Sequence, residues 1–250
     1  MNLILLESGE VGQGGRVHLA GARAAHLIHV LGVVPGQTVR VGVLNGPSGV
    51  GTVRGVSPGA VDLHCALDSK TPPRPRIDLL LAVPRPKVLR RLFAQIAALG
   101  VGRVILTNAE RVERAYFDTH VVTPECYRPL LIEGLQQARD TALPEVTVHR
   151  RFRILVEDEL DQLAGPAIRL VADPSAEVSA GAVARARLAG APDSRVLVGI
   201  GPEGGWNPFE LEHMEAHGFC RVGMGARTLR ADTACVALLA LIHDAVPRPA

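Results

Sequence analysis

Aromatic side chains are scarce: one tryptophan, two tyrosines and five phenylalanines make up 3% of the 250 residues. That excludes a row of stacked rings on which single-stranded nucleic acid could be laid out. Cysteine is scarce too. Cys65, Cys126, Cys220 and Cys235 are scattered, without the paired spacing of a zinc site or the density of a secreted disulfide framework, and are expected to be reduced packing residues. Long apolar runs are missing, so no segment is expected to span a bilayer. Leu3–Leu6 is very short, no basic residue precedes it and Glu7 closes it, so a signal peptide is not expected either, and the chain is read as soluble and cytoplasmic. His213 and His217 stand four apart, but the intervening acid is Glu215 rather than the residue after the first histidine. The zincin pattern fails, no metal is expected, and the pair is read as part of a solvated helix face.

What the chain does have is enough apolar material, 47% of its residues, to bury one large core or two small ones. Ser69–Arg76 combines three prolines with three basic residues and reads as an interdomain linker. Before it, short runs punctuated by glycine (Arg16–Leu19, Thr38–Leu44, Gly51–Val56, Val61–Leu67) suggest a small β-barrel, with Ala22–Leu31 as an inserted helix. After it, strands and helices alternate. Ile77–Val83, Val104–Thr107 and Ile168–Ala172 read as strands; Lys87–Leu99, Pro124–Arg139 and Thr233–Asp244 read as helices. Such alternation predicts an α/β domain with a largely parallel sheet covered on both faces.

The net charge of +2 hides an uneven spread. Arg74, Arg76, Arg85, Lys87, Arg90 and Arg91 form a basic stretch interrupted only by Asp78, and Glu157, Asp158, Glu159 and Asp161 an acidic one. The basic stretch could line a groove that holds a phosphate backbone, although charge alone favours a solvated surface.

Two glycine-rich segments are the most informative. Val196–Gly205 and Val222–Ala234 each read as a strand entering a tight loop, where the lack of a Cβ lets main chain approach a ligand closely. One helix apart, they suggest one shared pocket, and Gly204 is expected to be the glycine whose replacement by valine blocks it. Gly199, Gly201 and Gly204 also spell the G-x-G-x-x-G of a dinucleotide turn. Pro202 and Glu203 oppose that reading, because a Rossmann turn at those positions already enters its helix and offers amides to a pyrophosphate, which Glu203 would repel. The next helix is expected later, with Asn207 as N-cap, Pro208 at its first position and Glu210 in its first turn. Only about fifty residues follow the motif, too few for the repeated units of a dinucleotide domain.

IGPEGGW (Ile200–Trp206) and MGARTLRADTA (Met224–Ala234) resemble the signature of the RsmE family, methyltransferases acting on N3 of a uridine in small-subunit ribosomal RNA. His26–Gly46 is similar to that family's N-terminal PUA-like barrel, and Val83–Val101 and Glu133–Val146 to its central segments. The resemblance implies a PUA-like RNA-binding domain over residues 1–70 and, over 77–250, a SPOUT methyltransferase domain with a trefoil knot near its C-terminus. It further implies S-adenosylmethionine bound in the knot, a homodimer, and 16S ribosomal RNA, within the assembled small subunit, as partner. Carried over by position, the cofactor would meet Ile200, Gly201, Pro202, Glu203, Gly204, Gly205, Met224, Gly225, Leu229, Arg230, Thr233 and Ala234. Arg230, Glu203 and Asp232 become the catalytic candidates, and Arg85, Lys87, Arg90 and Arg91 the RNA-binding ones. The chain departs from the family pattern at Thr228, Asp232 and Ala98, where isoleucine, glutamate and an acidic residue are usual. A non-catalytic RNA-binding or ribosome-assembly role, or a different methylated base, stands as the alternative.

Overall fold

The computed structural model describes residues 2–247, in two compact units. One unit runs to Arg74 and also takes in Ile132–Leu143; the other holds Pro75–Leu131 and the chain from Pro144 onward. Ser69–Arg76 is irregular chain, as a proline-rich linker should be. A boundary drawn only there assigns residues 132–143 to the second unit, yet they cluster with the first. Hydrogen bonds explain this: Asn45 N donates to Thr141 O at 2.7 Å, Thr141 Oγ1 to Gly46 O at 2.7 Å, and Asn2 Nδ2 to Gln137 O at 3.1 Å.

The first unit contains β1 (Ile4–Leu6), β2 (Arg16–Ala20), α1 (Gly21–His29), β3 (Thr38–Val43), β4 (Ser48–Ser57) and β5 (Ala60–Leu67). Its sheet runs β1-β3-β4-β5-β2, antiparallel except where β1 lies parallel to β3. Period-two alternation sets its faces. Val61, Leu63 and Cys65 point inward while Asp62 and His64 point out, and Ala24 and Leu27 of α1 join the same core.

The second unit carries the α/β architecture. Its elements are β6 (Ile77–Ala82), α2 (Pro86–Ala98), β7 (Val101–Thr107), the part of α3 (Pro124–Ala138) up to Leu131, β8 (Glu145–His149), α4 (Phe152–Ile154), α5 (Leu160–Ala164), β9 (Ile168–Ala172), α6 (Ala180–Gly190), β10 (Val196–Ile200), α7 (Pro208–Ala216), β11 (Phe219–Val222) and α8 (Ala231–Ala245). The sheet order is β11-β9-β10-β6-β7-β8, and every pairing is parallel. A parallel ladder needs crossover connections, and the helices supply them. Every residue of β6 is buried, because a central parallel strand is covered on both faces. Asp78 within it is fully buried and is held by Arg195, whose Nε lies 2.7 Å from Oδ2. Arg103 Nη1 lies 4.0 Å from the same oxygen, and without these two guanidiniums the carboxylate would be stranded in an apolar layer.

Chain order decides where a site can form. From β6 the sheet grows through β7 and β8 on one side; the chain then returns to build β9, β10 and β11 on the other. Beyond the carboxyl ends of strands near such a reversal, connecting loops diverge and leave a crevice. Among the described residues no helix is long and apolar enough to cross a membrane.

Candidate active site

The carboxyl ends of β9, β10 and β11 open onto one cavity. Ala172, Asp173 and Pro174 line it from β9, Ile200–Trp206 from the loop after β10, and Val222–Gly225 with Arg227–Leu229 from the loop after β11. Ala231 and Ala234 of α8 close it. The two glycine segments therefore face each other.

Glycine is required here for different reasons at different positions. A Cβ on Gly223 would lie 2.3 Å from the carbonyl oxygen of Ala176, a backbone atom that cannot step aside. Gly223 N donates to Val178 O at 2.8 Å, and Ala180 N donates to Gly223 O at 2.9 Å, so the end of β11 is stitched to the chain leaving β9. A Cβ on Gly201 would stand 3.0 Å from Trp206 N. Gly205 and Gly225 have φ of +72° and +113°, a region that side chains disfavour. Gly204 differs: a Cβ there would meet only the flexible side chain of Arg111, at 3.0 Å. The close approach expected of Gly204 belongs to Gly223.

The first loop is fixed at both ends. Gly205 N donates to Pro202 O at 2.8 Å, closing a turn. α7 begins as its sequence requires: Asn207 Oδ1 accepts from Glu210 N at 2.8 Å, Asn207 N donates to Glu210 Oε2 at 2.8 Å, and Pro208 occupies the first turn. The same Glu210 carboxylate, buried, accepts from Glu110 N at 2.7 Å through Oε1, which ties the loop after β7 to α7. Arg111 donates to Gly204 O. Trp206 is buried against Phe152, ring centroids 5.7 Å apart, and its indole Nε1 has no hydrogen-bond partner among the described residues.

The charged candidates separate in space. Glu203 is exposed on the cavity wall, and its Oε1 accepts from the backbone N–H of Arg85 at 3.1 Å. Arg85 is the N-cap of α2, so Glu203 also sits where a helix dipole favours an anion. Asp173 lines the cavity with its Oδ1 taken by Ser175 N and Oγ, each at 2.9 Å, and its Oδ2 3.7 Å from Arg221. Asp232 does not line the cavity. It lies in the first turn of α8, which starts at Ala231 rather than at the expected Thr233, and its Oδ2 is 2.8 Å from Arg91 Nη2. Arg230, the N-cap of α8, and Thr233 are exposed beside the cavity without lining it. Arg85, Lys87, Arg90 and Arg91 are all exposed. Burial pushes the Cys235 thiol up to about 12, with the Asp232 charge adding to it; the cysteine nearest the site is no thiolate at neutral pH.

His213 and His217 do not form a simple solvated face. His213 is half-buried, stacked on Phe209 at 5.3 Å and 4.7 Å from the His217 ring. Burial holds its imidazole below the usual range, helped by the neighbouring His217.

The RNA methyltransferase domain family matches residues 71–243 of the chain. Over its full length the chain is 30% identical to the ribosomal RNA small subunit methyltransferase E of Treponema pallidum, covering 96% of that protein. The chain belongs to the ribosomal RNA small subunit methyltransferase E family. It is also 21% identical to a second such methyltransferase, from Borreliella burgdorferi, across 95% of each chain. Among solved structures, the ribosomal RNA small subunit methyltransferase E of Neisseria gonorrhoeae, bound to S-adenosyl methionine, superposes with a TM-score of 0.76 at 21% identity, covering 98% of this chain and 97% of that one. A protein from Legionella pneumophila in complex with the same cofactor gives 0.74 at 19% identity, with 98% and 97% covered. Both share the fold.

For this family member, the cavity gathers Ile200, Gly201, Pro202, Glu203, Gly204, Gly205, Met224, Gly225, Leu229 and Ala234 from the positions read in the sequence. Asp173, Pro174, Trp206, Arg227 and Thr228 also line it. The signal for Asp173 and Pro174 is the end of the β9 run, since residues just past the carboxyl end of a parallel strand are placed to meet a ligand.

Proposed function

We propose that this chain transfers a methyl group from S-adenosylmethionine to N3 of a uridine in 16S ribosomal RNA of the small subunit. The observation that carries the reading is the convergence of both family signature loops on one cavity at the carboxyl ends of β9, β10 and β11. The lining suits such a ligand. It is largely apolar, its wall at Gly223 has no room for a Cβ, and the unpartnered Trp206 Nε1 is a donor that a bound acceptor would satisfy. Ile200–Gly205, Met224, Gly225, Leu229 and Ala234 would hold the cofactor, with Arg230 and Thr233 flanking. When bound, it supplies an electrophilic methyl on a sulfonium.

The residues must then present a deprotonated N3. That atom lies on the pairing edge of uracil, so the base is taken unpaired or extruded. Holding it in line for attack supplies roughly 7 to 11 kcal/mol. Of the two carboxylates, Glu203 is the one on the cavity wall. Arg85 N–H occupies one oxygen and orients the group, leaving Oε2 to take the N3 proton. Asp232, bound to Arg91, instead positions α2 against α8. Arg230 would stabilise the developing uracil anion, and Arg85, Lys87, Arg90 and Arg91 would meet phosphates.

The same reading makes the first unit a PUA-like RNA-binding barrel over residues 1–70 and the second, over 77–250, a SPOUT domain. The return of α8 onto α6, β10 and β6 would complete the trefoil knot. It also makes the protein a cytoplasmic homodimer acting on the assembled subunit. Nucleoside mass spectrometry of ribosomal RNA with and without the gene tests the function: N3-methyluridine should vanish in its absence. Cofactor binding without methylated product would point to an assembly factor, and another lost base to a different target. In vitro, Glu203→Gln should lower turnover about 10²-fold with cofactor affinity retained; an equal loss in both would refute its role as proton acceptor.

A further inference from the structure

A second cavity lies at the carboxyl ends of β7 and β8, and nothing in the methyl-transfer reading uses it. Its walls carry four arginines, Arg114, Arg150, Arg151 and Arg153. The two cavities share a partition, because Trp206 of the first packs on Phe152 of the second.

Pairing of the charged groups shows what the second cavity has to offer. Arg150 is held by Asp118 at 3.1 Å and Phe117 O at 2.9 Å, its guanidinium 5.4 Å from the Phe117 ring centroid. Arg153 is 3.2 Å from Glu157, which also lies 3.2 Å from His213 Nε2. The Glu210 carboxylate is spent on the amides of Asn207 and Glu110, and the Glu110 side chain is the remaining acid of the lining. The side chains of Arg114 and Arg151, both exposed, have no hydrogen bond or ion pair among the described residues. Two unspent guanidiniums are suited to phosphodiester oxygens. Phe209, at the same cavity, leaves 52% of its surface exposed, a single ring on which a base can stack. Asn108, also in the lining, has its Oδ1 buried without a partner among the described residues. An amide in that state is a cost to the fold unless a ligand donor, such as a base N–H or a ribose 2′-OH, satisfies it.

We propose that this cleft binds a single-stranded stretch of the RNA substrate, with Arg114 and Arg151 on its phosphates, Phe209 under a base and Asn108 on a base edge or ribose. The inference rests on the methyltransferase reading for the identity of the strand. Occupied, the cleft would lay RNA along the partition that Trp206 shares with the cofactor cavity.

The test uses the full chain and a fluorescently labelled oligouridine, read by anisotropy across a salt series, with cofactor binding measured by calorimetry on the same preparations. Arg114→Ser/Arg151→Ser should weaken RNA binding at least about tenfold and flatten the dependence of log affinity on log salt by about 1.4, since each lost single-strand phosphate contact removes about 0.7. Phe209→Ala should weaken binding without changing that slope. Cofactor affinity should be retained in both variants, which also shows that they fold. RNA affinity and salt slope unchanged in Arg114→Ser/Arg151→Ser, beside a loss in Lys87→Ala/Arg90→Ala, would place the strand on α2 alone and overturn the proposal. Uridine monophosphate competing as tightly as the oligomer would overturn it too, in favour of a mononucleotide site. A wild-type chain that binds RNA through Arg114 and Arg151 but no cofactor would leave the cleft standing and remove the methyltransferase reading.

Discussion

Gly223 and Gly204 belong to matching motifs, but only one of them is sterically indispensable. Gly223→Val must drive a side chain into the Ala176 carbonyl, displacing the junction that holds β11 to the β9 loop. Cofactor binding measured by calorimetry should be lost. Gly204→Ala needs only a shift of Arg111 and should bind within a few-fold of wild type; the opposite ranking would show that the loop, not the junction, limits the pocket. This distinction was not legible in the sequence, because a glycine pattern reports where side chains are missing and not which backbone atom fills the space. The roles of the carboxylates were hidden for a similar reason. Glu203 and Asp232 are equally acidic on paper, but the partner of each, Arg85 N–H and Arg91, lies more than a hundred residues away. Pairings of such separation leave no local trace.

At the scale of elements, local chemistry was read most reliably where it was strongest. The Asn207-Pro208-x-Glu210 start of α7 stands as the spacing requires, down to the reciprocal capping hydrogen bonds. Asn207→Ala should cost about 1 kcal/mol, seen as a lower midpoint in urea unfolding with its slope unchanged. Because Glu210 also anchors the loop after β7, Glu210→Ala should cost more; an equal cost would mean the Glu110 contact contributes nothing. The elements that escaped notice are those with weak patterns. β8 is a short edge strand with no fully buried residue, and the run from Phe152 to Ala164 is broken by a π-turn at Leu155–Glu159, which disrupts the 3.6-residue period on which helix recognition depends. The acidic stretch falls on that broken run, paired with Arg153 and Arg169.

At the scale of the molecule, alternation of strands and helices points to a parallel sheet, but not to the strand order that adds β9, β10 and β11 on the opposite side of β6 from β7 and β8 and so brings the three loops that line the cavity together. Protonation couples to the whole fold through two histidines. Burial holds both His213 and His243 below the ordinary value of 6.5, so below 6.5 the unfolded chain takes up more protons than the folded one. Their contribution is complete above 6.5 and is lost as pH falls toward the folded values. The thermal midpoint should therefore drop between pH 7 and pH 5, and His213→Asn/His243→Asn should flatten that drop. A wild-type midpoint independent of pH across the interval would contradict the burial of these rings.

The partition between the two cavities is built on the one tryptophan of the chain. Intrinsic fluorescence excited at the red edge therefore comes from a single buried indole with a wall of each cavity beside it. A ligand accepting a hydrogen bond from Nε1 should shift its emission to longer wavelength, and RNA pressing on Phe152 from the other side should change its quenching. The protein thus carries its own optical gauge of whether one chamber senses the filling of the other.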